Sequence, residues 1–165
     1  MSLPVVAIVG RPNVGKSTIF NRLAGERIAI VQDEPGITRD RIYCQSDWNG
    51  ERFHVIDTGG LEFGEQDEIL NHIRNQAELA LEESDVILFV VDGREGITSG
   101  DEEVARLLHK TNKPVIIVAN KIDHHKHTEL AYEFYQLGFE HVIAVSSLHG
   151  TGTGDMLDLT VSLFP

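Results

Sequence analysis

Apolar and polar residues divide this chain into short, largely apolar runs separated by stretches with helical spacing. The runs are VVAIV (5–9), FHVID (53–57), DVILFVVD (85–92), PVIIVAN (114–120) and HVIAVS (141–146). Most do not alternate, so they predict strands buried on both faces, as in a parallel sheet covered by helices. Between them, Ile19, Phe20, Leu23 and Ala24 share one helix face, and Gly25 is placed to end that helix. Leu70, Ile73, Ala77 and Ala80 form a second face, and Met156, Leu157, Val161 and Phe164 a last one. Val104, Leu107 and Leu108 follow Ser99 and Glu102, a pair at capping-box spacing. One segment departs from this order: RIYCQSDWNGERFHVID (41–57) reads as two strands joined by Asn49-Gly50, a strong hairpin signal. The expected fold is therefore an α/β domain with a six-stranded, mostly parallel sheet, one antiparallel edge strand and helices on both faces. Residues 26–41 and 58–68 read as loops flanking the hairpin, long enough to move.

Length and charge narrow the function. The 165 residues fit one domain. No apolar run approaches the ~20 residues that span a bilayer, and no basic-then-apolar leader opens the chain. Cys44 is the only cysteine, so no internal disulfide can form, which suits a reducing cytoplasm. The net charge of −12 opposes broad electrostatic binding to nucleic acid. A nucleic-acid partner would need a basic element that this chain lacks.

The first strand runs into GRPNVGKST (10–18), and a helical pattern follows. Gly10, Gly15, Lys16 and Ser17 satisfy G-x-x-x-x-G-K-[ST], a loop whose backbone N–H groups cradle phosphates. Arg11, Pro12, Asn13 and Val14 supply the backbone between the glycines, and Thr18 continues it into the helix. Lys16 places a charge on the outer phosphates, the helix N-terminus adds partial positive charge, and Ser17 offers a hydroxyl to Mg²⁺. DTGG (57–60) ends another strand, where ligands of open α/β sheets gather. Asp57 there is suited to hold Mg²⁺ through water, and Gly60 to bring an N–H to a terminal phosphate. Thr38, in EPGITRD (34–40), could reach both the metal and a γ-phosphate when its loop closes.

NKID (120–123) follows the fifth run. Asp123 could accept hydrogen bonds from the N1–H and N2–H₂ edge of guanine, a donor pair that adenine lacks. Asn120 could brace neighbouring loops, and the Lys121 stem could lie along the base. After the last strand come Ser146, Ser147 and Leu148, where a backbone N–H near Ser147 could donate to guanine O6. HHKH (124–127) has no added carboxylate or cysteine at ligand spacing and reads as a solvated helix start rather than a metal site.

The order GRPNVGKS, Thr38, DTGG, NKID, SSL resembles the translation-factor branch of P-loop GTPases. More narrowly, LPVVAIVGRPNVGKSTIFNRLAGERIAIVQDEPGITRDR and SSLHGTGTGDMLD resemble the start and end of the first G domain of the Der (EngA) family. That resemblance implies a GTP-binding and GTP-hydrolysing switch that alternates between GTP and GDP with Mg²⁺. It also implies a protein with two tandem G domains and a KH-like domain that assists assembly of the large ribosomal subunit. Residues 1–165 would be the first G domain, with the second and the KH-like domain absent. Ser147 stands where the family usually has alanine, which leaves a backbone contact available. The resemblance further implies that Asn13 helps bind K⁺ beside the phosphates, in the part of an arginine finger. Leu61 follows DTGG, where many GTPases place a glutamine that orients water. Arg39 and Arg41 are unplaced candidates for a finger in cis. The alternative reading is a nucleotide-dependent binding module with negligible hydrolysis; a P-loop kinase or ATPase is disfavoured by NKID.

Overall fold

The computed structural model describes residues 3–24, 30–32, 41–57 and 66–165. Among these, seven strands form one sheet: β1 (Val5–Val9), β2 (Ile30–Gln32), β3 (Arg41–Trp48), β4 (Glu51–Asp57), β5 (Val86–Asp92), β6 (Val115–Asn120) and β7 (His141–Ala144). Their order across the sheet is β2-β3-β4-β1-β5-β6-β7. The helices are α1 (Lys16–Ala24), α2 (Gln66–Glu83), α3 (Ser99–Leu108) and α4 (Thr153–Ser162), with a 3₁₀ segment over His125–Leu137.

Strands β4, β1, β5, β6 and β7 pair in parallel, and β3 runs antiparallel to β4. Asn49 and Gly50 turn that hairpin with φ of 53° and 83°, the left-handed pair that a two-residue turn requires. The expected parallel sheet with one reversed strand is present, and it has one strand more than the six expected. β2 pairs antiparallel with β3, Ile30 opposite Tyr43, so β3 is not the edge. Three residues are too few to show a period, and only the open backbone edge of β3 makes a strand of them.

The lack of alternation in the strands has a direct cause. Val6 and Ile8 of β1 face α1 and α4, packing with Ile19, Phe20, Leu23 and Met156. Ala7 and Val9, one residue out of phase, face α2, α3 and the 3₁₀ segment, packing with Ile73, Ala77, Leu108 and Phe134. Ala80, Val104 and Leu107 complete that second layer, whereas Leu157, Val161 and Phe164 are only partly buried at the rim of the first. Gly25 and the Leu70 side chain lie outside what is described.

The cap of α3 differs from the expected one by a residue. Thr98 accepts from the Asp101 N–H at 3.2 Å, and Asp101 accepts from the Thr98 N–H at 3.0 Å. Thr98 and Asp101 therefore form the box, not Ser99 and Glu102. The choice is tertiary, because the buried Asp101 carboxylate also holds Arg11 at 3.0 Å.

For function, the important consequence is convergence. β1, β4, β5 and β6 are parallel neighbours, so their carboxyl ends deliver Gly10, Asp57, Asp92 and Asn120 to one edge of the sheet.

Candidate nucleotide-binding site

The loop after β1 is held open by two glycines. A Cβ on Gly10 would sit 2.4 Å from the Val90 carbonyl oxygen, and one on Gly15 would sit 2.1 Å from Asn120 Nδ2. Gly15 also has φ of 99°, and Asn13 is left-handed at 69°. Lys16, the first residue of α1, arches back over this loop and donates to the carbonyls of Gly10 and Arg11 at 2.6 and 2.9 Å. Burial pushes its ammonium down to about 8, while the nearby Asp57 carboxylate pulls it back up. A buried cation of this kind gains most from an anion placed against it. Ser17 lies beside it at the exposed start of the helix.

Arg11 leaves the loop in the other direction. Its Nε donates to Asp101 at 3.0 Å and its Nη2 to Glu95 at 2.9 Å. Burial works against the charge, but the hydrogen bonds to Asp101 and Glu95 outweigh it and raise the guanidinium above its ordinary value. The Gly10 N–H is also occupied: it donates to Gln76 Oε1 of α2 at 3.2 Å. Pro12 is exposed and Val14 is buried in the core.

Asn120 joins the two halves of the site. Its Nδ2 donates to the Val14 carbonyl at 2.9 Å, and its Oδ1 accepts the Ser147 N–H at 3.0 Å. Lys121, left-handed at φ of 67°, donates to the Asn13 carbonyl at 2.7 Å and pairs with Asp92 at 3.1 Å. Burial favours the neutral form of Asp92, but the Arg94 N–H and the Lys121 ammonium outweigh it and hold the carboxyl below its usual range. The result is a cleft of ≈260 Å³ lined by Gly15, Thr18, Arg94, Asn120, Asp123 and Leu148, among others.

Asp123 is exposed, and its Oδ1 accepts from the Ser146 hydroxyl at 2.7 Å. That bond sets the direction of the carboxylate, while burial would have to come from a ligand. The Ser147 N–H, the expected neighbourhood of an O6 donor, is directed to Asn120. Four residues escaped sequence reasoning: Gln76, Asp92, Arg94 and Arg22. Each lies outside the recognised motifs, and only the carboxyl end of β5, for Asp92 and Arg94, carried a signal. Thr38 and Gly60, together with Arg39 and Leu61, fall outside the described residues, as does the Arg41 side chain. His124 and His127 are exposed, with ring centroids 5.8 Å apart.

The bracing role of Asn120 can be tested on stability. Asn120→Ala leaves the Val14 carbonyl and the Ser147 N–H without their partner in a buried setting. Such losses cost about 1–3 kcal/mol per group. A drop of about 2–6 kcal/mol in unfolding free energy is therefore expected in urea titration. A variant as stable as the parent would contradict a bracing role.

Donor chemistry around Lys16 suits a hard divalent cation. A serine hydroxyl at the head of α1 and the buried Asp57 carboxylate at the end of β4 are oxygen ligands of the type Mg²⁺ takes. Asn13 presents an exposed amide oxygen beside the loop, a neutral donor of the kind a monovalent cation accepts.

Known proteins resemble this chain in sequence and fold. GTPase Der from Halalkalibacterium halodurans is 58% identical over 165 residues, and that from Geobacillus kaustophilus 56%. Each match covers the whole chain, which spans 38% of the relative's length. Among solved structures, Era from Aquifex aeolicus, bound to GDP and aluminium fluoride, matches with 32% identity and a TM-score of 0.79 over all of this chain and 58% of its own. The G domain of the T. maritima iron transporter FeoB matches with 25% identity and a TM-score of 0.73, over 98% of this chain and 99% of that one. The resemblance to Der thus extends from end to end. A family model described as 50S ribosome-binding GTPase matches residues 5–121, from β1 through the Asn120–Lys121 pair that closes the cleft, and the chain belongs to that family.

Proposed function

We propose that this domain binds GTP with Mg²⁺ and hydrolyses it slowly, as a switch. The observation that carries the reading is the Asn120 bridge, which sets a phosphate-type loop and a base-reading loop at opposite ends of one cleft. Lys16 and the loop amides would take the phosphates, and Asp123 with the Leu148 amide would take the guanine edge. Thr38 and Gly60 would approach the γ-phosphate in the GTP state and let go after hydrolysis. The 165 residues would serve as the first G domain of a longer cytoplasmic protein that acts on the large ribosomal subunit. This last step rests on the likeness to Der. An Era structure with MgGDPNP and a 16S ribosomal RNA fragment, 33% identical, supports a ribosomal setting for the family.

Ser17 and Thr38 would ligate Mg²⁺ directly, with Asp57 acting through water. When bound, the ion neutralises phosphate charge. Ser17→Ala is expected to lower GDP affinity about tenfold in Mg²⁺ buffer and to change it little in EDTA. Equal loss in both buffers would reject the assignment. GTP turnover measured against ATP as competitor tests the proposal as a whole: ATP at a hundredfold excess should not slow it. The engaged state of Arg11 and the presence of Leu61 favour the second reading, a binding module that scarcely hydrolyses. Single-turnover measurement separates the two, because that module binds GTP and returns it intact.

A further inference from the structure

Arg22 lies near the end of α1, outside every motif of the site, yet its guanidinium is forked onto the base-reading loop. Nε donates to the Ser147 carbonyl at 2.6 Å and Nη2 to the Leu148 carbonyl at 2.9 Å. The guanidinium lies against Gly150, where a Cβ would come within 2.8 Å of Nη1. We propose that Arg22 is a positioning residue for guanine recognition, acting through the backbone of Ser147 and Leu148. The inference rests on the guanine-reading site proposed above.

Peptide planarity transmits the grip of Arg22 to the loop amides. In a trans peptide the C=O of one residue and the N–H of the next point in opposite directions. Drawing the Ser147 carbonyl onto Arg22 turns the Leu148 N–H away from it. Drawing the Leu148 carbonyl onto Arg22 does the same for the His149 N–H, which reaches Ser146 Oγ at 3.4 Å. That hydroxyl is the one donating to Asp123 Oδ1 at 2.7 Å. One fork therefore directs both the amide suited to guanine O6 and the serine that orients the Asp123 carboxylate. A planar fork holds its two carbonyls at a fixed donor spacing and direction, whereas an ammonium is a point charge that fixes neither. Ser147 is held from its other side by Asn120, so the loop is fixed from both α1 and β6. Helix α1 thus touches both ends of the nucleotide site, with Lys16 at its start and Arg22 in its last turn.

The test compares three diphosphates on the parent chain and on Arg22→Ala. GDP carries O6, the N1 hydrogen and the N2 amine. IDP keeps the first two. The diphosphate of 2-aminopurine riboside keeps only the amine. Arg22→Ala is expected to weaken GDP and IDP about tenfold and the 2-aminopurine nucleotide, which lacks O6 and keeps only the amine facing Asp123, by about threefold or less. Arg22→Lys should fall between, and it carries the same comparison if the alanine variant does not fold. Equal weakening of all three nucleotides would make Arg22 a support of the fold and overturn the proposal, as would no weakening of GDP. Failure of the underlying reading looks different: the parent chain itself would then bind the 2-aminopurine nucleotide as well as GDP.

Discussion

Asp123→Asn is expected to lower GDP affinity by about 10²- to 10⁴-fold and to make xanthosine diphosphate the better ligand. The carboxylate would accept from two guanine donors, N1–H and N2–H₂, and charge-assisted bonds are worth about 1.5–3 kcal/mol each. Asparagine keeps one acceptor and presents an amide donor where the second acceptor stood. Guanine then meets donor against donor at N2, whereas xanthine offers an oxygen there. The geometry makes the exchange a clean one. Ser146 donates to Asp123 Oδ1 at 2.7 Å, and an asparagine oxygen can accept the same hydrogen bond. Asp123 is exposed, so the substitution leaves the core alone. Calorimetric titration with both diphosphates measures the switch. A variant that binds GDP as tightly as the parent would remove Asp123 from the base site.

Hydrolysis is expected to be slow in Na⁺ buffer, near the ~10⁻⁴ to 10⁻³ s⁻¹ of unassisted GTPases. In K⁺ buffer we expect it to rise about 10- to 100-fold, because a cation beside the phosphates would offset charge that grows between them as the bond breaks. Two features of this chain motivate the expectation. Leu61 cannot hydrogen-bond a water, and Arg11, the one arginine of the loop, is committed to Asp101 and Glu95. Asn13 is placed to help hold such an ion. Its backbone is left-handed and its carbonyl is taken by Lys121, while its amide side chain is exposed. Asn13→Ala should abolish the K⁺ response and keep the basal rate. Affinity for GDP with aluminium fluoride, measured in K⁺ and in Na⁺, gives a second readout that does not depend on turnover. Equal rates in the two salts, or full stimulation in Asn13→Ala, would refute the role.

Much of this was legible along the chain because the determinants are local. A glycine-lysine-serine loop works through dihedrals and a helix start that lie within nine residues. Buried parallel strands announce themselves as unbroken apolar runs, since both faces are covered. The Asn49-Gly50 turn needs two left-handed residues in succession, and few sequences other than this one supply them. The failures were of a different kind. Both the Ser99/Glu102 and Thr98/Asp101 pairs satisfy the capping spacing, and Arg11, which reaches across from another loop to bind Asp101, marks the true one. β2 became a strand only because β3 presented an open edge to it.

The same division runs through the site. The order of the motifs, read alone, determined that the chain has a phosphate loop and a guanine-type base loop on an α/β sheet, because each motif is a short run of backbone and side chains with its own geometry. Tertiary structure decided how those loops are held. Asn120 spends its amide on Val14 and Ser147, Lys121 ties Asn13 to Asp92, Gln76 reaches Gly10, and Arg22 grips the carbonyls of Ser147 and Leu148. The physical reason is distance along the chain. Asn120 and Val14, or Arg22 and Ser147, are more than a hundred positions apart, and only the sheet, which brings the carboxyl ends of β1, β6 and β7 to one edge, puts a donor of one within hydrogen-bond reach of an acceptor of the other.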